Sequence, residues 1–256
     1  MNSLYQEIKS ILGLSLSLAK ANFKVRNEGS FLGIFWYLLE PLAFFLILYF
    51  ISENLTQNKI PEYPLYLFVG LIMFNFFNAV TSFSTQVISG HAGFIKSLKI
   101  KMESFVLAGV WQFVFSHLFE LIVLLIFAFI FKTNLGWFFF YPIILIFFTL
   151  FTTGISLILS ICGVYIGDLK NVWVVFTRFL WFATPIFYSI SPTGTLHALN
   201  TWNPLYHFIN ATRDIIIYQK IPSAQTILTI TLGSLAIFFL GIAIFEKFKN
   251  RLAEKL

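Results

Sequence analysis

Residues 105–131 read FVLAGVWQFVFSHLFELIVLLIFAFIF, in which Glu120 is the one residue among Asp, Glu, Lys and Arg. A helix needs about 20 apolar residues to cross the hydrocarbon core of a bilayer, so this segment is long enough to span it. The whole chain has the same character, since 58% of its 256 residues are hydrophobic, 20% are aromatic and 11% are charged. This composition excludes an ordinary soluble domain and predicts an all-α integral membrane protein.

Five further apolar runs flank this one and predict six transmembrane helices in a single transmembrane domain over residues 1–256. The predicted spans cover residues 31–51, 65–88, 105–131, 137–166, 172–190 and 226–245. Twelve of the 17 lysines and arginines lie on the side of the termini, four lie on the other side, and Arg178 lies inside the fifth span. Because cytoplasmic loops are enriched in basic residues, this bias places both termini in the cytoplasm.

The first 24 residues are too polar to span, yet their apolar residues recur at helical spacing. This pattern predicts an amphipathic interface helix over residues 1–24, lying on the cytoplasmic surface of the membrane. The alternative is a signal peptide with an apolar region at 12–18 and a cleavage site at 19–21. Glu7, in what would be the basic region, and the basic residues Lys24 and Arg26 favour the interface helix.

Residues 191–225, between the fifth and sixth spans, stay apolar and aromatic although prolines and Gly194 interrupt them. A plain loop would be more polar. The segment therefore predicts short helices that are broken at Asn203–Pro204 and re-enter the outer edge of the membrane. The alternative is an interfacial loop that rests on the headgroups.

The motifs of nucleotide hydrolysis and metal chemistry are missing. The sequence contains no GxxxxGK[ST] phosphate loop, no HExxH and no GxSxG, and its four histidines lie in different segments. We therefore expect no catalytic residue, metal site or cofactor in this chain, and any ATP hydrolysis takes place in a separate subunit. The net charge of +6 follows from membrane topology, so a nucleic-acid partner is not expected.

Four polar residues at membrane depth are functional candidates, because ionisable groups are costly there. They are Glu40, His117, Glu120 and Arg178. Glu40 precedes Pro41 and either braces a helix kink at an interface or pairs with Arg178. His117 and Glu120 share one helix face, which favours interhelical hydrogen bonding, with a proton relay as the alternative.

The many aromatic side chains have two interpretations, lipid-facing or interfacial residues on the one hand and a sugar-stacking path on the other. The predicted path or gate residues are Trp36, Tyr37, Phe76, Phe77, Trp173, Trp181, Tyr188, Trp202, Asn203 and Pro204. Six helices make a small bundle for a large solute, so we expect a homodimer with the path along its axis. The two halves show no matching pair of interrupted spans, which disfavours a secondary carrier.

Several short motifs together resemble the membrane subunits of ABC-2-type ABC transporters, and among them the Wzm-type permeases that export O antigen and other polysaccharides. The motifs are SFLG (30–33) with Arg26 and Trp36, EPL (40–42), YPLYLFVGL (63–71), GFIK (93–96), GVY (163–165) with DL (168–169), TPIFY (184–188), and NPL (203–205) with Arg213. Taken in this order, the motifs extend over nearly the whole chain. The chain departs from the pattern at Lys99-Ile100, where relatives tend to have Phe-Pro, and at Gly167-Asp168, where many have Arg-Asp.

The resemblance implies a homodimer bound to two copies of a separate ATPase subunit, which holds ATP and magnesium. It implies export of a lipid-linked glycan across the bacterial inner membrane. It also implies a coupling region at 89–104 that docks on the ATPase through Ser89, Gly90, His91, Ala92, Gly93, Phe94, Ile95, Lys96, Ser97 and Leu98. A plain basic loop is the alternative for this segment. For the whole protein, the alternatives are export of teichoic acid, capsular polymer, lipid or drug, and a scaffold without a path.

Overall fold

The computed structural model of the protein describes residues 2–28, 31–55, 60–98, 100–190 and 194–255. Within these ranges the backbone forms α-helices and two short 3₁₀ helices, Gly33–Phe35 and Leu135–Phe140, and no β-strand. The α-helices are α1 (Asn2–Asn27), α2 (Trp36–Leu55), α3 (Tyr63–Ser84), α4 (Val87–Gly90), α5 (Ala92–Leu98), α6 (Met102–Ile130), α7 (Tyr141–Tyr165), α8 (Leu169–Ala183), α9 (Thr195–Asn200), α10 (Pro204–Ile216) and α11 (Ala224–Lys255). The prediction of an all-α protein is confirmed.

Four helical segments are long and apolar enough to cross a membrane, and they correspond to the second, third, fourth and sixth predicted spans. They are Tyr63–Ser84, Met102–Ile130, Leu135–Tyr165 and Ala224–Leu252. The other two predicted spans are shorter, because α2 has an apolar stretch of Leu38–Ser52 and α8 has 15 residues. The chain is a multi-pass membrane protein, whereas the count of six spans stays a prediction.

Local backbone chemistry shortens the two weaker spans. Pro185 ends α8, because a residue before proline is driven out of the helical region, and Thr184 has φ −90° and ψ 134°. At the start of α2 the chain makes a 3₁₀ turn in which Gly33 has a φ of 46°, a left-handed conformation that glycine adopts without strain. At one end of each of these two predicted spans, the helix therefore covers fewer residues than the sequence predicts.

The hydrophobic core is built around α3. Its residues 65–74 are all buried, and the helix packs against α2, α6, α7, α8 and α10. Phe68 packs edge-on against Phe45 of α2 and tilted against Phe127 of α6. Because protein surrounds it, this stretch of α3 presents no face to lipid.

A close helix pair, α7 with α11, forms the second structural unit of the domain. A side chain at Gly154 would collide with the backbone carbonyl of Ile237, and one at Gly241 would collide with the carbonyl oxygen of Gly154. Small residues at the crossing therefore let the two backbones approach each other, as is common between helices in membranes.

The N-terminal helix α1 packs along α6. The ring of Phe23 is stacked with that of Phe119, with the centroids 6.1 Å apart. Nearer its start, Lys101 Nζ donates to Glu7 Oε1 at 2.6 Å. The predicted interface helix is thus a helix that reaches Asn27, and its location on the membrane surface stays a prediction.

The segment between α8 and α11 contains the two short helices α9 and α10. They are separated at Asn203, whose side chain accepts a hydrogen bond from Leu205 N at 3.1 Å and so begins α10, with Pro204 in its first turn. The break therefore lies where the sequence predicts it. Residues 191–193 of the predicted re-entrant segment lie outside the described residues, and its re-entry into the membrane stays a prediction.

Candidate functional sites

The predicted coupling segment forms the two short helices α4 and α5, which meet at His91. The ring of His91 packs on Phe105 of α6, with centroids 4.7 Å apart, and its Nδ1 lies 2.8 Å from the carbonyl oxygen of Val87. Ser89, Gly90, Gly93, Phe94, Lys96 and Ser97 are exposed, His91 and Ala92 are half-buried, and Ile95 is buried. The side chain of Leu98 lies outside those described.

Phe94 and Ile95 are neighbours with opposite environments. Ile95 belongs to a small core with Val87, Ile88 and Phe105, whereas the side chain of Phe94 is 59% exposed. A single exposed apolar side chain is common on protein surfaces and does not by itself identify a docking site, but it is accessible to a partner. Of the two residues, only Phe94 is therefore available to contact a partner.

The predicted path residues on α3 are part of the core. Phe76 and Phe77 are each 3% exposed, and their rings contact Phe148 and Phe151 of α7. They are available to a solute only where their edges line a cavity. The side chain of Tyr37 lies outside those described.

The predicted path residues of the fifth span and of the segment after it fall into two groups. Some contact neighbouring side chains or backbone, and others are exposed. Trp173 Nε1 donates to Thr81 Oγ1 at 3.0 Å, and the ring of Trp181 is stacked with that of Phe187. The Tyr188 hydroxyl donates to the carbonyl oxygen of Phe182 at 2.9 Å. Trp36, Trp202 and Pro204 are exposed, and Asn203 is half-buried.

The free face of α8 carries an aromatic row that the sequence analysis missed. Phe176, Phe179 and Phe182 recur every three residues and are exposed, Phe179 by 71%. Thr177 is the one residue of α8 that is fully buried. The three-residue recurrence of Phe was a signal that could have identified this face, because residues at such spacing lie on one side of a helix.

The predicted pair His117 and Glu120 is part of a network across three helices. His117 Nδ1 lies 2.7 Å from Glu120 Oε2, and its Nε2 lies 2.5 Å from the hydroxyl of Tyr141 on α7. That hydroxyl lies 3.5 Å from Met73 Sδ on α3. The histidine therefore links α6 to α7 through hydrogen bonds, which is the arrangement expected of an interhelical polar contact.

Glu40 lies beside this network. It lines a cavity of about 820 Å³ between α2, α3 and α6, which His117 and Glu120 also line; we refer to it as the carboxylate cavity. Arg178 lies on the exposed side of α8, and among the described residues no ion pair joins it to Glu40. Within the single chain, Glu40 is therefore grouped with Glu120 and not with Arg178.

Arg213 on α10 is the most buried charged side chain described, with 1% exposure. Its Nη1 donates to the Pro185 carbonyl oxygen at 2.9 Å, and its Nη2 donates to the Ile186 carbonyl oxygen at 2.8 Å. Nε and Nη2 also donate to the Tyr66 carbonyl oxygen at 3.2 and 3.1 Å. The guanidinium carbon lies 3.3 Å from the centre of the Tyr66 ring. We call these four residues the arginine anchor.

The anchor explains how the chain tolerates a break after α8. Carbonyl groups freed where a helix ends must find donors when they are buried. The planar guanidinium supplies donors to three carbonyls at once, which a lysine cannot do in the same geometry. From the sequence, Arg213 is named only with the NPL motif; the structure adds that its side chain is buried and turns to these carbonyls.

Comparison with known proteins gives one family match. A family model described as "ABC-2 type transporter" matches residues 14–217. This range contains the carboxylate cavity, the arginine anchor and the coupling segment.

Full-length relatives come from several bacteria. The chain is 27% identical to an "O-antigen export system permease protein RfbA" of Klebsiella pneumoniae over 96% of both chains. It is 24% identical to a protein of the same name from Myxococcus xanthus over 100% of both chains. It is 22% identical to the "Polysialic acid transport protein KpsM" of Escherichia coli over 84% of this chain and 85% of that one.

Proposed function

Because this chain belongs to the ABC-2 type transporter family, we propose that it is the membrane permease of an ATP-driven exporter that moves a lipid-linked, O-antigen-like polysaccharide across the bacterial inner membrane. The observation that carries this proposal is the similarity to two O-antigen export permeases over 96% and 100% of their lengths. The chain forms the path. A separate subunit holds ATP and magnesium and hydrolyses the nucleotide.

The proposed assembly is a homodimer of this chain with two ATPase subunits. The exposed Phe176, Phe179 and Phe182 give α8 an apolar face that the single chain leaves uncovered. In a two-fold dimer the same face of both chains meets around one axis, so aromatic rings from both copies line the path. Flat apolar faces hold sugar rings weakly and without fixing their direction, which suits a polymer that must slide.

The proposed topology has six spans and cytoplasmic termini, with α2 and α8 as the first and fifth spans. The positive-inside bias supports the cytoplasmic termini. In this arrangement α4 and α5 face the cytoplasm, and α9 and α10 lie near the outer surface as re-entrant helices at the exit. The arginine anchor then closes the outer end of α8, where its helix stops short of the membrane surface.

Coupling to the ATPase is proposed to run through α4 and α5. Phe94 and Lys96 project from α5, and the opposite side of α5 is fixed to the core through Ile95. A short helix that is held firmly on one side transmits a push from a docked partner as a rigid-body shift. ATP binding in the partner would move this helix and so shift the two permease copies against each other.

A capsular polymer is the second candidate substrate. It is favoured by the similarity to the polysialic acid transport protein of Escherichia coli, which covers 85% of that protein. The two candidates differ in charge, since polysialic acid is a polyanion. They require different path chemistry.

The proposed function is tested by ATP hydrolysis in lipid nanodiscs. The proposed ATPase subunit is measured alone and with this chain, with and without a lipid-linked O-antigen glycan. We expect a stable complex whose hydrolysis rate changes with the glycan. A complex that ignores every glycan would remove the substrate assignment, and failure to form any complex would overturn the proposal.

The docking surface is tested by Phe94→Asp. We expect this variant to stay folded but to lose ATPase binding, because a charge replaces an exposed apolar contact. Phe94→Leu is the matched control, which keeps the apolar surface and should retain most of the binding. Ile95→Asp should instead reduce the folded yield, since it buries a carboxylate. Normal coupling in Phe94→Asp would contradict the docking assignment.

A further inference from the structure

The carboxylate cavity is large and mixed in character. Its volume of about 820 Å³ lies within the range of about 300–1,000 Å³ that small-molecule sites occupy, and it is far larger than a single ion needs. It opens between α2, α3 and α6, which together supply the whole described lining. The cavity therefore has room for a ligand the size of a sugar unit.

Polar side chains from α3 and α6 form one part of the cavity wall. Asn75 and Asn78 lie on α3, and Ser116, His117 and Glu120 lie on α6. Amide, hydroxyl and carboxylate groups at membrane depth are costly unless they face protein, water or a ligand. Side chains of this kind are the usual partners of sugar hydroxyl groups, because each can donate or accept hydrogen bonds.

Aromatic side chains form another part of the wall. Trp36 and Phe44 of α2 line the cavity together with Phe76 of α3, whose ring also packs on His117 with centroids 5.3 Å apart. A pyranose presents C–H groups on its faces and hydroxyl groups around its rim. A wall of rings beside amides and carboxylates matches both parts of such a molecule.

The charge of the wall restricts which sugars fit. Glu40 and Glu120 both line the cavity, and no lysine or arginine does so among the described residues. When His117 and Glu120 share one proton their hydrogen-bonded pair is neutral, and an ionised Glu40 still leaves this wall negative. An anionic group placed here would lose its hydration and meet like charge at low dielectric, whereas a neutral or ammonium-bearing sugar would not.

We propose that the carboxylate cavity binds sugar units that carry no negative charge, either neutral or amino-bearing, and rejects sialic acids, uronic acids and phosphate-bearing units. The proposal rests on the proposed function and deepens it, because it names the chemical class of glycan. It favours an uncharged O-antigen-like polymer over a polyanionic capsular polymer.

The test measures binding of three labelled hexasaccharides to the permease and ATPase complex in nanodiscs. The probes are maltohexaose, which is neutral, chitosan hexamer, which bears amines, and an α2,8-linked sialic acid hexamer. We expect the sialic acid hexamer to bind at least roughly tenfold more weakly than maltohexaose. Equal binding of these two probes, or no binding of any probe, would overturn the proposal.

The variant Glu40→Gln/Glu120→Gln assigns the selectivity to this cavity. The amide at position 120 can still accept from His117, so the network is kept. Binding of the sialic acid hexamer should rise toward that of maltohexaose, and binding of the chitosan hexamer should fall. Glu103→Gln is the matched control, because Glu103 also lies on α6 but does not line the cavity. Its carboxylate instead pairs with Lys249, with Nζ and Oε1 3.7 Å apart. The same change in the control would overturn the proposal.

A second variant tests the location without touching charge. Ala79 lines the cavity, so Ala79→Trp should reduce maltohexaose binding, whereas Ala236→Trp on the exposed side of α11 should not. Unchanged binding in Ala79→Trp would overturn the proposal. ATP-driven export by the same complex distinguishes failure of the proposed selectivity from failure of the proposed function. Equal export of neutral and acidic glycans would leave the proposed function standing and refute the selectivity, and loss of all ATP-driven glycan export would refute the function itself.

Discussion

The arginine anchor and the carboxylate cavity treat charge at membrane depth in opposite ways. At the anchor, one cation is enclosed and four donated hydrogen bonds run to carbonyl oxygens. At the cavity, two carboxylates border an open space of about 820 Å³. An enclosed, hydrogen-bonded charge stabilises one arrangement of the chain, whereas charges that border a void remain available to a ligand. The anchor therefore has the properties of a structural element, and the cavity has those of a site.

Removal of the anchoring cation should have the largest effect on stability. Arg213→Met leaves the carbonyl oxygens of Pro185 and Ile186 without this donor and removes the two further hydrogen bonds to the Tyr66 carbonyl oxygen. We expect the free energy of unfolding to fall by about 3 kcal/mol or more, because each buried unpaired acceptor costs about 1–3 kcal/mol. Thermal unfolding in detergent measures the change. Arg178→Met is the control on exposed α8, and an equal loss there would break the comparison.

A smaller loss should follow from crowding the anchor while keeping its charge. A methyl group at Gly70 would lie 2.9 Å from Arg213 Nη2 and 3.1 Å from the Ile186 carbonyl oxygen. We expect Gly70→Ala to cost about 1–3 kcal/mol, the usual range for overpacking.

Gly233→Ala is the matched control for this crowding. Gly233 lies within α11 and has no neighbouring atom within 4 Å of the added methyl group. Its substitution should be neutral or should stabilise the helix by up to about 1 kcal/mol, because alanine is the better helix former. If the two alanines behaved alike in thermal unfolding, close packing around Arg213 would not contribute to stability.

The network beside the cavity should be more tolerant than the anchor. Tyr141→Phe removes the hydroxyl that lies 2.5 Å from His117 Nε2 but leaves the ring in place. We expect a loss of about 1–3 kcal/mol, because one buried nitrogen, His117 Nε2, is left without its partner. Tyr5→Phe, at an exposed tyrosine of α1, should change nothing. A loss in Tyr141→Phe as large as that in Arg213→Met would mean that the two regions are equally structural.

The sequence predicts these two regions to different degrees. Runs of apolar residues locate the long helices, because length and hydrophobicity alone decide whether a segment can span. An ionisable residue is conspicuous within such an apolar run, so the same runs identify Glu40, His117 and Glu120 as candidate site residues. Their common cavity is beyond sequence reasoning, because it depends on how α2 and α3 pack against α6.

The anchor and the aromatic faces show where sequence reasoning fails. Arg213 follows a proline-interrupted segment and resembles a loop cation, and only the tertiary position of the Pro185 carbonyl makes it a core residue. Phe76 and Phe179 are chemically identical, yet one is buried and the other exposed. Phenylalanine is favourable both in a protein core and in lipid, so residue type cannot separate these environments.

The smallest predicted effect concerns the surface link between α1 and the start of α6. The Lys101 ammonium donates a hydrogen bond to Glu7 and so lowers the pKa of that carboxyl below its ordinary value of 4.5. Because the folded pKa is the lower one, the link contributes fully above about pH 4.5 and is lost as the pH falls through the folded value. Exposed pairs contribute little, so we expect faster amide exchange in the first turns of α1 below this range and no change in global unfolding. Glu7→Gln should remove this pH dependence, and an unchanged pH profile of exchange in that variant would show that the contact with Lys101 does not hold α1 in place.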